Sequence, residues 1–107
     1  MAKKTIMLCC AAGMSTSLLV TKMQKAAQEQ NKDVAIFAAP ASEADSKMSE
    51  KNIDCILLGP QVRYMEDDFK KKIEGKNVGL AVIDMQAYGM MDGAKVLAQA
   101  YQLMENR

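Results

Sequence analysis

The chain has 107 residues, half of them apolar and a quarter charged, with 14 basic against 13 acidic side chains and a formal net charge of +1. This suits one small globular domain, 1-107, with a single core. Balanced charge, only three tyrosines and two phenylalanines, and the absence of an apolar stretch long enough to span a bilayer argue against nucleic-acid binding and direct membrane insertion and for a cytoplasmic protein.

The chain opens with a short apolar stretch, Thr5-Ile6-Met7-Leu8-Cys9, that reads as a buried strand. Cys10-Ala11-Ala12-Gly13-Met14-Ser15-Thr16-Ser17 follows, and from Leu18 the apolar spacing is helical. The run between must turn sharply, with Gly13 as its permissive point. Successive backbone N–H groups in such a turn, together with the positive end of the following helix, form a cradle for a phosphate-sized anion. A thiol stands at its first position, and the field that holds phosphate also favours thiolate, so Cys10 is a candidate nucleophile. Ala11, Ala12, Gly13, Met14, Ser15, Thr16 and Ser17 are the candidate phosphate-binding residues. Ser15, Thr16 or Ser17 can equally cap the helix. Its inward stripe is expected to include Leu19, Met23, Ala26, Ala27 and Gln30, and to end near Asn31.

Val34 to Ala39 forms a second strand stopped by Pro40, and Ser42 with Asp45 suggests a capping box for a short polar helix reaching Lys51. Ile53 to Leu58 is a third strand, apolar enough to be central and covered on both faces. The Gly59-Pro60 turn then opens a helix through Val62, Met65, Phe69 and Ile73, ended by Gly75. Val78 to Ile83 is a fourth strand, Asp84 to Met91 reads as a loop, and Asp92 caps a final helix carrying Val96, Leu97, Ala100, Tyr101 and Met104.

Four strands alternating with helices call for an α/β fold, a four-stranded parallel sheet with helices on both faces. The expected order is 2-1-3-4, which places Cys10 at the crevice where the connections from strands one and three diverge. Cys9 is the rival nucleophile, but it puts Gly13 and the hydroxyls out of register and points to the other sheet face. The cysteines Cys9, Cys10 and Cys55 show no metal-ligand spacing. The sequence contains no histidine, so Cys-His catalysis and phosphohistidine chemistry on this chain are excluded. Neither a metal nor a cofactor is expected. Met14 and the Met90-Met91 pair are expected in loops, where they would suit an adaptable docking surface.

The run C-x-x-G-x-S-T-S after a strand resembles the phosphocysteine loop of the enzyme IIB subunits of the bacterial sugar phosphotransferase system, in particular the lactose/cellobiose/chitobiose branch. Leu57-Leu58-Gly59-Pro60-Gln61-Val62-Arg63-Tyr64-Met65 resembles that branch's second signature, and Val82-Ile83-Asp84 with Tyr88-Gly89 and Asp92-Gly93 its third. The resemblance implies the same strand order, enzyme IIA as phosphohistidine donor, and membrane enzyme IIC with bound sugar as acceptor. It also implies transient association with the inner face of the plasma membrane and a β-linked disaccharide such as cellobiose, chitobiose or lactose as the sugar. Gln61, Arg63, Tyr64 and Tyr88 are possible partner contacts; Arg63 could instead be an ordinary solvated arginine, and Tyr88 a buried ring with a satisfied hydroxyl.

The loop is also similar to the C-x-x-x-x-x-R-[ST] cradle of low-molecular-weight tyrosine phosphatases, with Thr16 where arginine would stand. Lacking that arginine, the loop should hold a phosphocysteine and be poor at hydrolysing it. Asp92 could supply an acid, though its place before a helix favours a cap. Two other readings are a small cysteine phosphatase or thiol reductase, and a flavodoxin-like module that binds a phosphorylated ligand without covalent chemistry.

Overall fold

The computed structural model describes residues 3–11 and 14–106, with Met14 and Ser15 described in their backbone alone. Strands β1 (Lys4–Cys10), β2 (Val34–Pro40), β3 (Cys55–Leu58) and β4 (Gly79–Val82) form one parallel sheet in the order β2-β1-β3-β4. The helices are α1 (Met14–Glu29), α2 (Ala44–Glu50), α3 (Glu66–Lys72), α4 (Met85–Gly89) and α5 (Gly93–Glu105), with 3-10 segments at Ala41–Glu43 and Pro60–Met65.

Side-chain alternation along β1 sorts the core into two halves. Ile6 and Leu8 join Cys55 and Leu57 against Leu19, Met23, Val96, Leu97 and Ala100 of α1 and α5. Met7 and Cys9 point the other way, into a cluster with Ile56, Leu58, Val62 and Phe69. Burial on both faces is why β1 and β3 read as continuous apolar runs.

Several boundaries depart from the sequence expectations. Helix α1 starts at Met14, so Ser15, Thr16 and Ser17 lie within its first turn instead of preceding it as caps. Leu19, Met23, Ala26 and Ala27 are buried as expected, but Gln30 is exposed because the helix ends at Glu29 and the chain turns away. Asn31 takes the left-handed conformation there, with φ 57°, and the N–H groups of Asn31 and Lys32 donate to the carbonyls of Gln28 and Ala27. Ser42 forms no capping box; α2 starts without a side-chain cap after a 3-10 turn.

The helix expected from Pro60 to Ile73 is broken into a 3-10 segment and α3, with Val62 off helical geometry. Residues 84–91, expected as a loop, contain helix α4, capped by the Asp84 carboxylate accepting from Ala87 N–H at 2.9 Å. Asp92 caps α5 as expected, accepting from Lys95 N–H at 3.1 Å. Met91, between the two helices, has φ 52° and packs against the core, so its side chain holds a backbone conformation that glycine would adopt more cheaply.

Gly93 sets the spacing of α1 and α5. A Cβ there would lie 2.5 Å from the Lys22 carbonyl carbon and 2.7 Å from the Met23 nitrogen, both backbone atoms that no rotamer can move. Gly93→Ala should therefore force the helices apart, costing on the order of 2 kcal/mol. For a domain of this size the thermal midpoint should fall by roughly 10 °C in calorimetry; an unchanged midpoint would show that the α1–α5 contact yields freely.

Candidate functional site

Cys10 is the last residue of β1, one of the two interior strands, and helix α1 begins soon after it. Its neighbour β1–β2 leads to one side and β3–β4 to the other, so the thiol sits at the switch point. The side chain is buried, only 2% exposed, with Sγ 3.1 Å from the hydroxyl Oγ1 of Thr16, which is itself fully buried. Either group can donate in that contact. Strand alternation aims Cys10 toward the α1 face, and the first turn of α1 brings Thr16 back over it.

Cys9 faces the opposite cluster and is fully buried. Burial, reinforced by the neighbouring Cys10, pushes its thiol up from 9.0 to about 12. Cys9 is thus a protonated core side chain at neutral pH. Cys55, also buried, lies in the core on the α1 face.

The turn after β3 closes the other wall. Gly59 N–H donates to the Cys9 carbonyl at 2.7 Å, extending the β1–β3 pairing past the end of the ladder. A Cβ on Gly59 would stand 3.0 Å from Gln61 Oε1, 3.4 Å from the Cys9 carbonyl oxygen and 3.5 Å from Cys10 Cβ. Gln61 then reaches across to α4, its Nε2 donating to the Tyr88 hydroxyl at 3.0 Å. Arg63 points the same way, with Nη1 4.0 Å from Met85 Sδ.

Of the sequence-derived candidates, the structure brings Cys10 and Thr16 into contact and sets Gln61 beside them. Ala11 is an exposed bend, Ser17 is exposed on α1, and Met14 and Ser15 supply the helix's first backbone positions. Ala12 and Gly13 lie outside the described residues. Tyr64 is 77% exposed, Arg63 is exposed, and Tyr88 is partly buried against the core with its hydroxyl engaged by Gln61. Asp92 is occupied as a cap.

Sequence reasoning missed α4 and with it Met85, 62% exposed beside Arg63. The signal available was Asp84 three residues before Ala87, the spacing of a side-chain cap. It also missed Gln99 on α5, whose amide bridges the end of β4 to α4 by donating to Val82 O at 3.0 Å and accepting from Asp84 N–H at 3.1 Å. Met14 lies in α1 and not in a loop; of the pair Met90-Met91, Met90 is 70% exposed and Met91 packs inward.

These features define a class: small parallel α/β domains that carry a cysteine at the switch point of the sheet, under the first turn of a helix. Residues 5–99 match the family described as the phosphotransferase system lactose/cellobiose-specific IIB subunit. The chain is 53% identical to the galactose-specific EIIB component of Lactococcus lactis subsp. cremoris and 52% identical to the cellobiose-specific EIIB component of Lactococcus lactis subsp. lactis, with 97% of this chain and 99% of each relative covered. It is 42% identical, with the same coverage, to the oligo-beta-mannoside-specific EIIB component of Bacillus subtilis.

Two solved structures share the fold. The lactose-specific IIB component domain from Streptococcus pneumoniae superposes with a TM-score of 0.84 at 17% identity, covering 95% of this chain and 98% of that one. The cellobiose-specific IIB component from Borrelia burgdorferi gives 0.79 at 31% identity, covering 98% and 94%. The chain therefore belongs to the lactose/cellobiose-specific IIB family of the sugar phosphotransferase system. As a IIB component it is a phosphotransferase, and such components work in general with a IIA and a membrane IIC partner.

The two adjacent thiols can be told apart by pH. Because the folded chain holds the Cys9 proton more tightly than the unfolded chain does, this residue's contribution to stability is complete below pH 9 and lost as pH rises toward about 12. The unfolding free energy of the parent relative to Cys9→Ala should therefore shrink by about 2 kcal/mol between pH 8 and pH 10.5, measured by denaturant titration at both pH values. A constant difference would mean that Cys9 ionises as readily folded as unfolded.

Proposed function

We propose that Cys10 is the phosphoryl carrier of this IIB component, taking the group from a phosphohistidine of enzyme IIA and passing it to a sugar held by membrane enzyme IIC. The observation that carries the reading is the placement of the Cys10 sulfur: at the end of an interior strand, against the buried Thr16 hydroxyl in the first turn of α1. Anions bind well at such helix N-termini, where N–H groups and the positive dipole end converge.

In the first transfer, a sulfur electron pair attacks phosphorus in line. The S–P bond forms as the N–P bond of the donor breaks, and that pair returns to the imidazole nitrogen. In the second, a sugar hydroxyl oxygen attacks phosphorus, the S–P pair returns to sulfur, and the hydroxyl proton leaves to a base or water on the acceptor side. The phosphoramidate donor already carries the transfer potential, so no nucleotide is needed. In this reading the backbone N–H groups of Ala11, Ala12, Gly13, Met14, Ser15, Thr16 and Ser17 hold the phosphoryl oxygens.

Thr16 gives the site its carrier character. It stands where the similar phosphatase loop has arginine, offering a neutral hydroxyl to sulfur instead of a cation to a hydrolytic transition state. Phosphocysteine in this loop should persist until an acceptor arrives.

Docking is assigned to the surface beside the thiol. Arg63, Tyr64 and Met85 are exposed, Arg63 approaches Met85, and Gln61 bonds Tyr88 on the same helix as Met85. Through IIC the chain would work at the inner face of the plasma membrane; among the described residues, no helix is long and apolar enough to cross a membrane. A β-linked disaccharide such as cellobiose, chitobiose or lactose is the sugar in this reading, in keeping with the relatives named for cellobiose and oligo-beta-mannosides, while a third relative is named for the monosaccharide galactose.

Two measurements test this reading. Incubation with phosphoenolpyruvate, the general phosphotransferase proteins and a cognate IIA should add one phosphoryl group by intact mass, mapped to Cys10 under non-acidic conditions and absent in Cys10→Ser. No addition from a demonstrably active donor, or steady turnover of an aryl phosphate, would count against a carrier. Separately, Thr16→Val, which keeps the volume but removes the hydroxyl, should slow phosphoryl uptake about tenfold, and Thr16→Ser should restore it, as loss of one hydrogen bond to a charged sulfur implies. Equal rates in the parent and both variants would remove Thr16 from the chemistry.

A further inference from the structure

Strands β2 and β4 are the outer strands of the sheet, and an outer strand offers its free row of backbone N–H and C=O groups to any further strand. The ladder bonds show which residues face outward. Lys4 N–H donates to Asp33 O at 3.4 Å and Ile83 N–H to Leu58 O at 2.9 Å, so Asp33 and Ile83 turn their backbone groups into the sheet. By strand alternation Val34, Ile36 and Ala38 of β2 and Leu80 and Val82 of β4 turn theirs outward, as does Asp84 just past β4.

At each edge a glutamine from a covering helix takes up these groups. Gln24 of α1 donates its Nε2 to Ile36 O at 2.9 Å, in the middle of the outward row of β2. Gln99 of α5 donates its Nε2 to Val82 O at 3.0 Å, and its Oε1 accepts from Asp84 N–H at 3.1 Å. One bond to a carbonyl and one from the N–H two residues on is the pair a fifth parallel strand would make there. Gln24 is exposed and Gln99 half-buried, so close packing does not hold either amide at its edge.

We infer that Gln24 and Gln99 are latches that close the two edges of the sheet against strand addition by a second copy of this chain. The occupant excluded follows from the strand itself. Residues 34–39 are uncharged and apolar, and the same stretch of another copy is a matching strand for that edge. A strand pairing along Val34, Ile36 and Ala38 must first expel the Gln24 amide from the middle of the row. On β4, only four residues long, Gln99 holds one of the two outward residues.

Full-length Gln24→Met and Gln99→Met keep the length of the side chain and remove its amide. In sedimentation equilibrium each should self-associate about tenfold more tightly than the parent, because pairing no longer breaks a latch in either copy. Gln28→Met and Gln102→Met put the same apolar chain at exposed sites on the same two helices with both latches in place, and should behave as the parent. In the associated form of Gln24→Met the amides of Ile36 and Ala38 should exchange with solvent about tenfold more slowly than in the monomer, and in Gln99→Met that of Leu80. An edge whose variant associates no more than its control, or associates without slowing these amides, is not latched, and the proposal falls for that edge. Parent chains that pair through these amides would overturn it outright.

Discussion

One backbone hydrogen bond, from Gly59 N–H to the Cys9 carbonyl at 2.7 Å, holds the site together. It continues the pairing of the two interior strands beyond the last ladder position and brings the turn after β3 alongside Cys10. A Cβ on residue 59 would lie in ordinary contact with Cys10 Cβ, 3.5 Å away, and press only on the end of the Gln61 side chain. Because β1 and β3 are locked in register by apolar residues on both faces, the end of the sheet cannot slip, and the positions of Cys10 and Gln61 follow from that register.

Strand alternation assigns different chemistry to two adjacent cysteines. Cys9 enters the cluster with Phe69 and Leu58 and is held protonated by burial; Cys10, one residue on, turns to the α1 side and meets a hydroxyl at the beginning of a helix. The helix that delivers this hydroxyl is in turn seated by Gly93, which allows α1 and α5 to touch backbone to backbone. A small residue far from the thiol in sequence therefore sets how closely α1 and α5 approach.

Wall and floor of the site come from separate connections, and Tyr88 and Gln61 join them. That link is exposed and polar, so it is cheap to open, whereas the ladder beneath it is buried and expensive to disturb.

Much of this was legible in the residues themselves. Apolar runs of strand length, the Cys10 to Ser17 motif, the Gly59-Pro60 turn and the Asp92 cap specify a parallel α/β domain with Cys10 at the end of its first strand, because strand period, turn chemistry and capping are local properties, while the order 2-1-3-4 is the one the family resemblance implied. Where tertiary contacts override local preference, the reading failed. Gln30 faces water since Asn31 turns the chain, the segment after Pro60 kinks at Val62 to bury it, and residues 85–89 coil into a helix once Asp84 caps it and Gln99 ties its start to the sheet. Which side chains meet at the site was decided in three dimensions only. Thr16 over Cys10 depends on the helix starting at Met14, and Gln61 with Tyr88 joins residues 27 positions apart. No periodicity encodes either contact, because each arises from how separate elements are stacked on the sheet.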